Sequence, residues 1–134
     1  MEIAIIAHDG RKADMVAFLM AHLEILKQHN VNLIATGTTG SFVEQAGLEV
    51  RKFNSGPLGG DAQIAARVVD GFTDLVIFFR DPLGKHPHEP DVNMLLRLCD
   101  LHNVPLATNK ATAEIVIQSL DMIKVRNQKG SVIN

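Results

Sequence analysis

A single cysteine, Cys99, leaves this chain of 134 residues without an internal disulfide. It falls at helical spacing with Leu95 and Leu98, where a small buried hydrophobe is the expected role and a reducing compartment fits. No apolar run approaches the roughly 18 residues that suggest a membrane span. Met1 leads straight into Ile3–Ala7, too short for a signal-peptide core with its cleavage region, so a cytoplasmic, unanchored protein is expected. Excess charge is lacking too. Thirteen Lys and Arg against fifteen Asp and Glu give a formal net charge of −2, which excludes a nucleic-acid footprint and a basic membrane-binding surface. Any anion must therefore be held by local groups. Repeats, linkers and low-complexity stretches are absent, so residues 1–134 read as one domain that buries about two thirds of its unfolded surface.

What is present is an alternation of short β-branched runs with longer segments of helical period, in a chain 46% apolar and 21% charged. Such alternation specifies α/β: a single three-layer, doubly wound domain around a central, mainly parallel five-stranded sheet. Strands are expected at Glu2–Ala7, Val31–Ala35, Glu49–Phe53, Leu75–Phe79 and Pro105–Ala107. The first and fourth are apolar enough to be buried on both faces and belong in the centre. Helices are expected at Lys12–Gln28, Thr39–Ala46, Ala62–Asp70, Asp91–His102 and Ala111–Leu120. The tail Asp121–Asn134 has no clear period and reads as an edge strand, a subunit contact or a frayed end. In such a sheet ligands bind beyond the carboxyl ends of the strands, so the loops there are where chemistry belongs.

Four of those loops are unusual. After the first strand, His8-Asp9-Gly10-Arg11-Lys12 places an imidazole and an ammonium around a helix start: either an anion grip, or a structural histidine with a solvated lysine. After the second, Thr36-Gly37-Thr38-Thr39-Gly40-Ser41 is a phosphate cradle by composition or an ordinary N-cap turn. It has neither the Walker spacing nor the dinucleotide fingerprint, which favours a small phosphoester. After the third, Ser55-Gly56-Pro57-Leu58-Gly59-Gly60-Asp61 sets a carboxylate at the end of a glycine-rich turn. Asp61 is there either an acid/base group beside a bound anion or the cap of the next helix. After the fourth, Pro82, Pro87 and Pro90 stiffen a loop holding His86, His88, Glu89 and Asp91. His88 is the candidate electrophile or proton shuttle; His86, His88 and Asp91 also have the chemistry of a metal site, and Asp91 that of a helix cap. His22, His29 and His102 lie within or at the ends of helices and read as packing or dipole partners.

Taken in order and spacing, His8-Asp9 with Lys12, Thr36-Gly37-Thr38-Thr39-Gly40, Ser55 to Asp61, and Asp81-Pro82-Leu83 followed by Pro87 to Asp91 resemble the methylglyoxal synthase family over nearly the whole chain. The same fold family includes regulatory domains, so the Asp61 and His88 motifs decide between functions. The resemblance implies a homohexameric lyase that turns dihydroxyacetone phosphate into methylglyoxal and inorganic phosphate through an enediolate, with no metal and no organic cofactor. It implies Asp61 as the general base and a neutral His88 as hydrogen-bond donor to the developing oxyanion. His8, Lys12, Thr36, Gly37, Thr38, Thr39, Ser55 and Gly56 become substrate ligands, and Asp9, Asp81 and Asp91 supporting groups. Phosphate, as product, would also inhibit. Longer family members bring an arginine from a neighbouring subunit to the phosphate; in this tail Arg126 is the candidate counterpart. Two alternatives stand beside this expectation. A non-catalytic module binding a phosphorylated metabolite would keep the cradle without needing Asp61 and His88. A metal-dependent hydrolase would use His86, His88 and Asp91 and be stopped by chelators.

Overall fold

Glu2–Ala7 form β1, and its alternating side chains are apolar on both sides, so the strand is stable only between two layers of helices. The computed structural model describes residues 1–84, 92–123 and 125, and it sandwiches β1 in that way. In chain order the elements are β1, α1 (Lys12–Ala21), α2 (Leu23–Gln28), β2 (Asn32–Ala35), α3 (Gly37–Gln45), β3 (Arg51–Lys52), α4 (Gly60–Val69), β4 (Leu75–Phe79), α5 (Val92–Leu101), β5 (Leu106–Ala107) and α6 (Lys110–Ile117). The sheet order is β3-β2-β1-β4-β5 and each neighbouring pair is parallel. Strand order reverses between β1 and β4, the switch point at which an open α/β sheet parts its loops into a crevice.

Period-two alternation divides the core. Ile3, Ile5, Leu33, Leu75, Ile77 and Phe79 face α1, α2, α3 and α6 and meet Met15, Phe18, Leu19 and Ile117. Ala4, Ile6, Ile34, Val76 and Phe78 face α4 and α5, where Ile64, Val68, Leu95 and Cys99 cover them. Cys99 is fully buried, in the packing role its spacing suggests.

At the edge of the sheet where β1 begins, a polar rivet fastens the strands. The Glu2 carboxylate accepts from the Arg67 guanidinium and from Thr73 Oγ1 (2.8 Å), while Asp74 Oδ2 accepts the Glu2 N–H at 2.9 Å. Asp74 and Thr73 are buried, so this bonding is a requirement of their burial.

Several boundaries differ from those the sequence suggests. The expected helix Lys12–Gln28 breaks at His22 (φ −120°, ψ 25°), whose imidazole reaches Glu114 on α6 at 2.8 Å and packs on Phe18. β3 is only two residues long, although Phe53 N–H still donates to Ala35 O at 2.8 Å. Asp61 is not the cap of α4; Gly59 is, at φ +94°, and Asp61 is the second helical residue. The last helix stops at Ile117 and is followed by a tight turn, Leu120–Met122. Of the tail Asp121–Asn134, Asp121 and Met122 belong to that turn, and residues 124 and 126–134, Arg126 among them, lie outside the described residues.

Phe18 is 1% exposed and lies edge-on to Phe79, so its loss leaves a cavity at the join of α1 with β4. Phe18→Ala is expected to lower stability by about 3–5 kcal/mol, measured as a shift of the urea midpoint.

Candidate active site

Three adjacent strands, β1, β2 and β3, hand over to helical turns at the same edge of the sheet. The residues that make the handover share one extended geometry: His8 (φ −62°, ψ 158°), Thr36 (−67°, 157°) and Ser55 (−63°, 158°). Each therefore stands at an N-cap position, with N–H groups of the following turn facing outward. The Thr36 and Ser55 side chains make no capping bond. At the start of α3, Gly37 N–H goes to Asn54 O (3.1 Å) and Gly40 N–H to Thr36 O (2.8 Å). The N–H groups of Thr38 and Thr39 lie between them, where an α-helix has no carbonyl of its own to offer. Donors of this kind, aided by the helix dipole, suit an anion without requiring net positive charge.

The end of β1 is gripped from two sides. Thr39, buried, accepts the Ala7 N–H at 3.3 Å and donates its hydroxyl to Ala7 O at 3.4 Å. Lys12 Nζ donates to Ala7 O at 3.1 Å and to Asp9 Oδ1 at 2.6 Å. The lysine side chain is 7% exposed and the Asp9 side chain 83%, so the carboxylate supplies a counter-charge from the solvent side while the ammonium stays beneath the loops. Lys12 is thus not the solvated helix residue that one reading of the sequence allowed.

His8 is also buried. Its N–H continues the ladder to Phe79 O (3.1 Å), its ring meets Phe78 edge-on, and its Nδ1 accepts the Asp81 N–H at 2.9 Å. An imidazole that accepts a main-chain N–H at Nδ1 carries its proton at Nε2 when neutral, so His8 is set as an N–H donor. Asp81 orients it through the main chain, while its own Oδ1 accepts Leu83 N–H at 3.2 Å. Gly10 permits this approach, because a Cβ there would lie 2.6 Å from Asp81 Oδ2.

The third handover carries the carboxylate. Ser55 leads into the tight turn Gly56–Leu58, the chain reverses through Gly59, and α4 begins at Gly60 with half-buried Asp61 in its first turn. Gly60 N–H donates to Ser55 O at 2.9 Å. A Cβ on Gly60 would fall inside the van der Waals envelope of the Asn54 carbonyl, so glycine is obligatory there for contact rather than for φ. Of the residues read from sequence, the structure brings His8, Asp9, Lys12, Thr36, Gly37, Thr38, Thr39, Ser55, Gly56, Asp61 and Asp81 to one edge of the sheet. His86, His88 and Asp91 lie outside the described residues. Asn54 and Gln63, which the sequence did not single out, join the second and third handovers: Asn54 N–H donates to Gln63 Oε1 at 2.8 Å.

Comparison with known proteins shows the family. A family model described as an MGS-like domain matches residues 18–108. Methylglyoxal synthase from Bacillus subtilis (strain 168) is 57% identical over 122 residues, spanning 90% of this chain and 88% of that protein. The chain belongs to the methylglyoxal synthase family. Methylglyoxal synthase from Caldicellulosiruptor saccharolyticus is 58% identical over 122 residues, 90% of this chain and 85% of that protein. The crystal structure of methylglyoxal synthase from Elizabethkingia anophelis NUHP1 superposes with a TM-score of 0.85 at 43% identity, covering 90% of this chain and 79% of that one. Family membership selects the enzyme over the regulatory-module alternative.

The two glycines before Asp61 serve different ends, and substitution separates them. Gly60→Ala is expected to cost about 3 kcal/mol or more, because two backbones must part. Gly59→Ala meets nothing within 4 Å and pays only for its positive φ, about 1–2 kcal/mol. Thermal midpoints of the two variants check the ranking.

Proposed function

We propose that this chain converts dihydroxyacetone phosphate into methylglyoxal and inorganic phosphate, with the three-turn edge as its active site. The observation that carries the reading is the half-buried carboxylate of Asp61 in the first turn of a helix adjoining a cradle of outward-facing donors. The substrate phosphate sits on the Thr38 and Thr39 N–H groups, the Thr36 and Ser55 hydroxyls, the Gly56 turn and the Lys12 ammonium. Thr39 contributes through its main chain, since its hydroxyl is bonded to Ala7. Gly37 lets α3 start hard against Ser55.

Chemistry then follows from the bonds that must change. Asp61 takes a proton from the hydroxymethyl carbon, and the C–H electrons form an enediolate with the neighbouring carbonyl. His8, held as an Nε2–H donor, binds the substrate, and His88 donates to the oxygens on which charge develops. The enediolate electrons then expel phosphate from the other carbon as the hydroxyl on the deprotonated carbon becomes an aldehyde carbonyl and yields its proton to the departing phosphate; the enolate left behind takes back the proton held by Asp61 on its terminal carbon and becomes methylglyoxal. As written, the sequence of steps needs neither metal nor organic cofactor. Asp9 holds Lys12, Asp81 holds His8, and Asp91 is assigned to the loop that carries His88. The same reading takes the enzyme to be a cytoplasmic homohexamer, inhibited by phosphate through occupancy of the cradle.

Turnover of dihydroxyacetone phosphate, followed as methylglyoxal and phosphate release with EDTA present, tests it. Asp61→Asn is expected to lower kcat by about 10²- to 10⁴-fold while phosphate still binds, and EDTA is expected to change nothing. A folded wild type that binds phosphate but releases no methylglyoxal would sink the reading. Loss of activity on chelation would move the chemistry to a metal.

A further inference from the structure

We infer that Gln63, acting through the main chain of Asn54, is the positioning residue that fixes the base relative to the phosphate cradle. The inference rests on the function proposed above. Asn54 follows β3, and its polar groups join three separate pieces of the site. Its N–H donates to Gln63 Oε1 at 2.8 Å, its carbonyl accepts the Gly37 N–H at 3.1 Å, and its side-chain Nδ2 donates to Leu58 O at 3.2 Å. Through those bonds α3, which presents Thr38 and Thr39, the turn after Ser55, and α4, which carries Asp61, meet on one residue.

Gln63 is two residues beyond Asp61 on α4, and its own N–H donates to Gly59 O at 3.0 Å, within the first turn of the helix. A side chain anchored there ties the helix start, and Asp61 with it, to the residue that also holds the cradle. The close packing of this corner points the same way. A Cβ on Gly37 would lie 3.1 Å from Ser55 N and 3.2 Å from Phe53 O, and Gly60 backs directly onto the Asn54 carbonyl.

A glutamine amide neither takes nor gives a proton at neutral pH, so whatever Gln63 contributes comes through geometry. The Gln63–Asn54 bond is exposed, and water replaces most of the free energy of such a bond when it is lost. Its worth is directional. Proton abstraction requires the carboxylate within hydrogen-bond reach of one carbon while the phosphate three bonds away is held still, and small misplacements cost rate steeply.

Gln63→Ala and Gln63→Glu in the full chain test the inference by steady-state kinetics with dihydroxyacetone phosphate, the inhibition constant of inorganic phosphate, and thermal midpoint. For Gln63→Ala, kcat is expected to fall about 10-fold or more. The phosphate inhibition constant is expected to stay within about 2-fold and the midpoint within about 2 °C, because the cradle donors themselves are untouched. Gln63→Glu keeps an acceptor oxygen for Asn54 and is expected to recover most of kcat at saturating substrate. A kcat within about 2-fold of wild type in the alanine variant, or a loss that glutamate does not recover, overturns the inference. A wild type that makes no methylglyoxal overturns the proposed function and this inference together, whereas an active wild type with an unaffected alanine variant overturns this inference alone.

Discussion

Parallel pairing is the constraint on which the rest of this structure depends. Strands that run one way release the chain at one edge, and helices that must return over the sheet begin there, so their N-termini collect along that edge. Here β1, β2 and β3 release into turns at His8, Thr36 and Ser55 with nearly the same backbone angles. Thr36 opens an α-helix, whose N-terminus carries roughly half a positive charge and contributes of the order of 0.3–1 kcal/mol to an adjacent anion, whereas His8 and Ser55 open three-residue turns that offer main-chain N–H groups. That helix N-terminus, the N–H groups of the two shorter turns and one buried lysine gather positive potential at one edge of a protein whose formal net charge is −2. The attraction is local, as the charge balance required.

Several buried polar groups of this edge are already bonded to protein. Lys12 has Ala7 O and Asp9, Thr39 has both main-chain groups of Ala7, and His8 Nδ1 has Asp81 N–H. Burial without those partners would cost several kcal/mol in total. With them, the side chains are held by the protein itself, which lowers the ordering entropy that binding an anion at this edge would cost. The cost of the arrangement appears in the glycines: Gly60 has no room for a Cβ because the Asn54 carbonyl occupies it, Gly37 would press on the backbone of Phe53 and Ser55, and Gly10 would displace the Asp81 carboxylate. The glycine-rich loops are crowded places in this fold.

How much of this was legible in the chain depends on whether a feature leaves a mark on residue type. β1 and β4 were, to the residue, since strands covered on both faces are continuous apolar runs bounded by polar residues. β3 was overextended because Glu49, Val50 and Phe53 continue an alternating pattern beyond the two residues that pair in the sheet. The break at His22 left no mark in the local pattern, and the partner its imidazole meets there, Glu114, is 92 positions away. Asp61 was read as a cap or a base because a carboxylate after Gly-Gly fits both; the structure gives the cap to Gly59. Asn54 and Gln63 escaped notice for a different reason. Asn54 works through its N–H and carbonyl, which every residue but proline possesses, so only Gly37 and Gly60, the residues that make way for it, carried a trace.

Elimination rather than isomerisation demands rigidity of a particular kind. An enediolate keeps its phosphate when the bridging C–O bond lies in the enediolate plane and loses it when that bond stands perpendicular, overlapping the π system. The base fixes the plane by choosing which proton leaves; the cradle fixes the C–O bond by holding the phosphate. A protein selects the outcome only if those two holdings cannot rotate against each other. In the proposed site they belong to different βα units, Asp61 on α4 and the Thr38 and Thr39 donors on α3, whose preceding strands β3 and β2 pair through two registered residues. The longer pairings of β1 with β2 and β4 and the packing of α4 on Ile34 tie the bodies of the two units together, away from the helix starts. The bonds at Asn54 span the same gap directly at the reacting end, with Gly37 on one side and Gln63 on the other. A junction there resists the one rotation that would let the intermediate take another path.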